Sequence, residues 1–228
     1  MRRTPMEQNN QSHDEGHYWI SISDLMTSLL FIFVIILAYT IYSFSAKSEA
    51  FEENFNNRSE MLVSLQENLK HKNINVDIDP KNGNMRIKSD TFFAVGSAEL
   101  NEQGRQTITS IAAEIKQEMS KPKYQQAIDT IFIEGHTDNA PLNNSFGAGR
   151  RWTNMELSAQ RAINTYTTMD EGAQISMMKN KNGQHLFSYS GYADQRPVVD
   201  NTTEQGRAKN RRIEIFFALN SPQAHLTQ

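Results

Sequence analysis

Two stretches of this sequence place acids where they could act on an ion or a ligand. The first surrounds Asp24, at the mouth of the apolar run Ile20-Ser-Ile-Ser-Asp-Leu-Met-Thr-Ser-Leu-Leu-Phe-Ile-Phe-Val-Ile-Ile-Leu-Ala-Tyr39, after which no charged residue occurs until Lys47. A carboxylate near a bilayer centre costs about 2.5–3.5 kcal/mol on insertion scales, and a chain that keeps one there uses it to bind or relay an ion. Helical spacing puts Ser21, Asp24, Thr27 and Ser28 on one polar stripe, which should face protein rather than lipid. The competing reading makes Asp24 the N-cap of a helix starting at Leu25, which would still hold about 20 residues and span the membrane. The second stretch is Glu134-Gly-His-Thr-Asp138. Two acids around His136 invite a catalytic reading, but a nucleophile, base and orienting group must converge in space, and sequence spacing does not show that. Glu134 and His136 equally suit a hydrogen-bonded structural pair on one strand face. There is no His-Glu-x-x-His motif and no glycine-rich phosphate loop, so neither an enzyme nor a metal site is expected.

These residues need elements to hold them. Of the 228 residues 38% are hydrophobic, and the mean hydropathy is −0.62 despite the apolar run, so the remainder must be a polar, water-facing domain. A net charge of −3 argues against nucleic acid as a partner, and the absence of cysteine removes disulfides, thiolate metal ligation and thiol catalysis. The apolar run is too long for a signal-peptide core and lacks a compact basic segment before it, so it reads as an uncleaved transmembrane helix over 18–44. Tyr18 and Trp19 mark one interface; Tyr39, Tyr42 and Phe44 mark the other. Lys and Arg flank both sides and do not set the orientation.

Residues 1–17 are polar and predict a disordered tail. Over 45–73, Phe51, Phe55, Met61, Leu62, Leu65 and Leu69 recur at helical spacing and predict an amphipathic linker or plug helix. The folded domain is expected over 74–219, followed by a tail over 220–228. It opens with a hairpin whose turn is Asp79-Pro-Lys-Asn-Gly83. A helix carrying Ile108, Ile111, Ala112 and Ile115 follows, then a strand at Thr130–Glu134, a long loop over 139–153 and a helix over 155–169. Strands at Leu186–Ser190 and Arg212–Ala218 complete it. This order predicts an α+β fold: an α/β sandwich with a mixed sheet and helices on one face.

The segments Phe92…Gly96-Ser-Ala-Glu-Leu100, Ile133-Glu-Gly-His-Thr-Asp138, Asn154-Met-Glu-Leu-Ser-Ala-Gln-Arg-Ala162, Gly191-Tyr192…Pro197 and Asn210-Arg-Arg-Ile-Glu-Ile215 resemble the OmpA-like peptidoglycan-binding family. The resemblance implies that Asp138 and Arg161 grip the diaminopimelate of a wall stem peptide, an ammonium and carboxylates that one acid and one forked guanidinium can read together. It also brings Thr137, Asn154, Leu157, Asn210 and Arg211 as secondary candidates, for each of which a structural role is equally open. Leu157 could be core, Asn154 could cap a helix, and Arg211 could pair with a surface acid. The loop over 139–153, with Arg150, Arg151 and Trp152, resembles the longer version found in flagellar stator proteins of the MotB type.

Joined to a helix with an early aspartate, such a domain resembles MotB-type stator subunits as a whole, and its compact spacer resembles the ZorB type of Zorya anti-phage defence. That resemblance implies an inner-membrane protein with a cytoplasmic N-terminus and a periplasmic wall-binding domain. It implies a homodimer inside a multi-spanning MotA/ZorA-like partner, five partner chains to two of these, with Asp24 passing H+ or Na+ and no cofactor. A flagellar MotB/PomB-like subunit and a passive wall-binding anchor without ion flux are the alternatives.

Overall fold

The computed structural model describes residues 11–94, 96–142, 145–146, 150–151 and 153–221. Helix α1 runs Gln11–His71. The chain divides into two compact units, one holding α1 up to Glu49 and the other Ala50–Pro222.

In the first unit α1 passes through the apolar run without a break and is the helix, among the described residues, long and apolar enough to cross a membrane, with a best-window mean hydropathy of 2.4. It begins at Gln11, inside the segment expected to be disordered. Residues 1–10 of that tail lie outside the described residues, as does most of the tail over 220–228.

The second unit corrects the boundary expected at residue 74. Met61, Leu62, Leu65 and Leu69 are fully buried and belong to the same core as Ile111, Ile131 and Phe217. The face was visible as helical periodicity, but periodicity says only that something covers it. Polar ties finish the docking: Ser64 Oγ and Asn68 Nδ2 donate to Glu118 at 3.1 and 3.3 Å, and Arg58 donates to the carbonyls of Phe217 and Lys81. The linker helix is therefore part of the domain from Ala50 onward.

The strands are β1 (Asp77–Asp79), β2 (Asn84–Lys88), β3 (Ile128–His136), β4 (Ser145–Phe146), β5 (Arg150–Arg151), β6 (Phe187–Gly191) and β7 (Arg212–Leu219). The main sheet has the order β1-β2-β7-β3-β6, antiparallel except for β3 beside β6; β4 and β5 form a separate pair. It is the mixed sheet anticipated. The helices after α1 are α2 (Ser89–Phe92), α3 (Glu102–Met119), α4 (Pro122–Ala127), α5 (Asn154–Ala173) and α6 (Glu204–Asn210). In the β1–β2 turn Gly83 takes φ +79, and Asp79 accepts from the Asn82 backbone and side chain at 3.1 and 2.7 Å.

The sheet has two unlike faces. Ile131 and Ile133 of β3, with Ile213, Ile215 and Phe217 of β7, are buried in the core shared with α3. Helix α5 packs against β3 and β6 so closely that a Cβ on Gly135 would lie 2.0 Å from the Ser158 carbonyl oxygen, and one on Gly191 would lie 2.4 Å from the Ala159 nitrogen. The other face is polar. There Glu134 pairs in register with Glu214, Arg212 Nε reaches Glu214 at 2.8 Å, and the Phe132 and Phe216 rings stack at 6.3 Å. The two glycines thus bring the first turns of α5 beside the end of β3, where the next residues form the candidate site.

Candidate functional site

In the first unit Asp24 lies well inside α1, which removes the N-cap reading: no helix starts at Leu25. Asp24, Ser21, Thr27 and Ser28 share a face of the helix, and all four are exposed in the single chain. Thr27 donates its hydroxyl to the Ser23 carbonyl at 2.7 Å, and Ser23 donates to Trp19 at 2.9 Å. Those hydroxyls are satisfied by the helix itself. Asp24 makes no hydrogen bond or ion pair among the described residues, so its carboxylate, the charged group of the stripe, is left for an external partner.

In the second unit the segment leaving β3 carries Thr137 and Asp138. The Thr137 backbone N–H donates to Ala193 at 2.9 Å, which holds this segment beside the end of β6. Asp138 is nearly buried, yet both its oxygens are engaged. Oδ1 accepts the Ala140 N–H at 3.0 Å, and Oδ2 accepts Arg211 Nη1 at 2.5 Å. Asn154 donates to the carbonyls of Asp138 and Ala140 at 3.2 and 3.0 Å, so it clamps the loop. It does not cap α5; Thr153 does, in a reciprocal capping box with Glu156.

Arg161, on α5, is 3% exposed. Its Nε donates to the Ser97 carbonyl at 2.9 Å and Nη2 to that of Ala94 at 3.3 Å, with the guanidinium 5.1 Å from the Phe93 ring centroid. Burial pushes its pKa down to about 10; the charges of Asp90 and Asp138 oppose that fall and Arg211 adds to it. Nη1 keeps its N–H groups unspent among the described residues. Asp138 and Arg161 therefore sit in one electrostatic cluster, but Arg161 already latches the loop before α3.

The guanidinium in contact with Asp138 is that of Arg211. Its Nε lies 2.9 Å from both oxygens of Asp90, and Nη2 lies 2.7 Å from Asp90 Oδ2 and 2.8 Å from Glu204 Oε1. The hydrogen bonds that Arg211 donates to Asp90, then to Asp138 and Glu204, hold its pKa above the usual arginine value against some burial. Sequence reasoning missed Asp90 and Glu204. Asp90 is 121 residues from Arg211, and no local pattern links them.

Two secondary candidates, Asn210 and Leu157, are buried. Asn210 is fully buried: its Oδ1 accepts from Val198 and Val199 at 2.9 and 3.2 Å, and its Nδ2 donates to Val199 and Asn201, each at 2.8 Å. That leaves no group for a ligand. Leu157 is buried as well. Thr137 is also buried, with its hydroxyl unpartnered among the described residues. Trp152 lies outside the described residues, and of Arg150 and Arg151 only the strand β5 is described.

His136 is 1% exposed, 3.6 Å from Glu134 and 3.9 Å from Glu214, and stacked on Tyr192 at 5.6 Å. The Arg196 guanidinium lies over the Tyr192 ring, 3.7 Å from its centroid. The residues of the catalytic reading are thus divided: Glu134 stays with His136 on the sheet face, and Asp138 belongs to the Arg211 cluster. A groove of about 630 Å³, lined by Asn73, Asp77, Lys88 and Thr107 among others, contains no member of that cluster.

The OmpA family model matches residues 92–211. Motility protein B of Bacillus subtilis (strain 168) is 31% identical over 131 residues, which cover 58% of this chain and 43% of that protein. The chain therefore matches less than half the length of that relative. Zorya protein ZorB of Escherichia coli (strain Crooks) is 24% identical over 218 residues, covering 91% of this chain and 90% of that protein. Among solved structures, a MotB-like protein from Desulfovibrio vulgaris superposes with a TM-score of 0.55 at 22% identity, covering 79% of this chain and 99% of that one, which shows the shared fold. With β3, Asp138, Arg161 and Arg211 all inside the matched span, the chain belongs to the OmpA family.

Proposed function

We propose that this chain is the wall-anchored, ion-conducting subunit of an inner-membrane motor, of the Zorya defence type. The observation that carries the reading is the union, in one chain, of a membrane-length helix bearing an unpartnered Asp24 and an OmpA-family domain. Similarity to Zorya protein ZorB along nine-tenths of both chains favours the defence type over the flagellar one. Asp24 passes H+ or Na+ along its stripe once a multi-spanning partner covers α1; two copies of the chain inside five of the partner would bring two such carboxylates together. The N-terminus is cytoplasmic and the OmpA-family domain periplasmic. In that domain Asp138 receives the ammonium of a diaminopimelate stem peptide, Arg161 Nη1 offers hydrogen bonds to its carboxylate, and Arg211 and Asn154 hold Asp138 in place.

The test is phage protection by cells carrying the whole system with Asp24→Asn in this chain. Protection is lost, while membrane abundance and sedimentation with peptidoglycan stay at wild-type levels. Full protection by the variant would make the chain a passive anchor. Control of swimming rather than of phage plating would assign it to a flagellar motor.

A further inference from the structure

Resting on the reading that Asp138 receives the ligand's ammonium, we propose that Asp90 is a positioning residue of the wall-peptide site: by clamping Arg211 it keeps Asp138 available. Arg211 faces three carboxylates and treats them unequally. Its Nε and Nη2 edge lies side-on against Asp90, with both Asp90 oxygens 2.9 Å from Nε and Oδ2 also 2.7 Å from Nη2. Nη2 shares its second N–H with Glu204. Only the far nitrogen, Nη1, reaches Asp138, and it reaches one oxygen.

A guanidinium prefers to engage a carboxylate through two parallel N–H bonds. Asp90 has that arrangement here; Asp138 has a single end-on contact plus the Ala140 N–H. Each Asp138 oxygen therefore keeps a lone pair for an incoming ammonium. Without Asp90 the freed edge keeps only Glu204, 2.8 Å from Nη2 and the most exposed of the three acids, and the guanidinium is free to turn toward Asp138, whose side-chain exposure is 10% against 43% for Asp90 and 66% for Glu204. A bidentate pair there would neutralise the acid, and the ligand would have to break it. Asp90 thus sets how much of the Asp138 charge is left for the ligand. Glu204, more exposed than either, supports the clamp from the side.

The experiment uses the full-length chain in detergent and measures affinity for a diaminopimelate-containing muropeptide. Asp138→Ala abolishes binding. Asp90→Asn weakens it by about tenfold, the scale of one charge-assisted hydrogen bond. Asp90→Glu, which can still clamp Arg211, stays within about threefold of wild type on the same scale. The decisive variant is Asp90→Asn combined with Arg211→Met: with the guanidinium that Asp90 restrains removed, affinity equals that of Arg211→Met alone. Loss with Asp138→Ala but unchanged binding by Asp90→Asn overturns this proposal and leaves the site standing. A double variant that binds more weakly than Arg211→Met alone also overturns it, because Asp90 would then act on the ligand or on the fold. Wild-type binding by Asp138→Ala overturns the reading of the site itself.

Discussion

Two aspartates organise this molecule, and their surroundings differ in kind. Asp138 is nearly buried, held by Arg211, by the Ala140 N–H and by a loop that Asn154 clamps, so every group that orients it comes from the same chain. Asp24 stands exposed on one helix face, and the hydroxyls of Ser23 and Thr27 bond back to their own backbone. An isolated domain can build the first kind of site. On the proposed reading the second takes its dielectric, path and counter-surface from other chains, because an intramembrane carboxylate faces protein rather than lipid.

The sharpest way to break this contrast is to destroy the self-built site without touching α1 before Glu49. Gly135→Ala places a Cβ 2.0 Å from the Ser158 carbonyl oxygen, and main chain cannot yield cheaply there. We expect the second unit to fail to fold, seen as loss of protease resistance of residues 50–221, while the chain still fractionates with membranes. Next in size is Leu65→Ala. Because Leu65 is fully buried in the domain core, it should cost about 2–5 kcal/mol of stability in chemical denaturation; a cost under about 0.5 kcal/mol would return the segment to the role of a free linker. Arg161→Lys loses the fork that latches the Ala94 and Ser97 carbonyls. It should cost about 1–3 kcal/mol and weaken muropeptide binding, with no change in ion flux.

The smallest effect is expected at Glu204. Hydrogen bonds from Arg211, then from Arg207, hold its pKa below the usual 4.5. A depressed carboxylate contributes stability above its unfolded pKa and loses it as pH falls through the lowered folded value. Glu204→Gln should therefore be slightly less stable than wild type at neutral pH, and the two melting temperatures should converge at acid pH below 4.5. A difference that widened on acidification would contradict the ion pairing.

Much of this was legible in the sequence, for physical reasons that also mark where legibility ends. Alternation at Met85 and Ile87 and in the strands around Ile133 and Ile215 encodes a half-buried sheet, and it predicted the mixed α+β fold. The hairpin turn was readable because Asp79 and Gly83 carry their own local chemistry. Leu62, Leu65 and Leu69 were readable as a helix face but not as core, since a face does not name its partner. Asn210 lies in a motif resembling the wall-binding family, yet its amide is consumed by the chain around Val198 and Val199. Asp90 was invisible because its role depends on the order of β2, α2 and β7 in three dimensions. At Asp24 the sequence left cap and ion site open; a helix that begins at Gln11 decides against the cap.

Ion carriage by Asp24 is read most directly as flux. The full-length chain and its multi-spanning partner would be reconstituted in liposomes under an imposed proton gradient, then under a sodium gradient. Partner-dependent flux of one of these ions is expected, abolished by Asp24→Asn and left intact by Asp138→Ala. Flux that persists undiminished in Asp24→Asn would contradict ion carriage by Asp24.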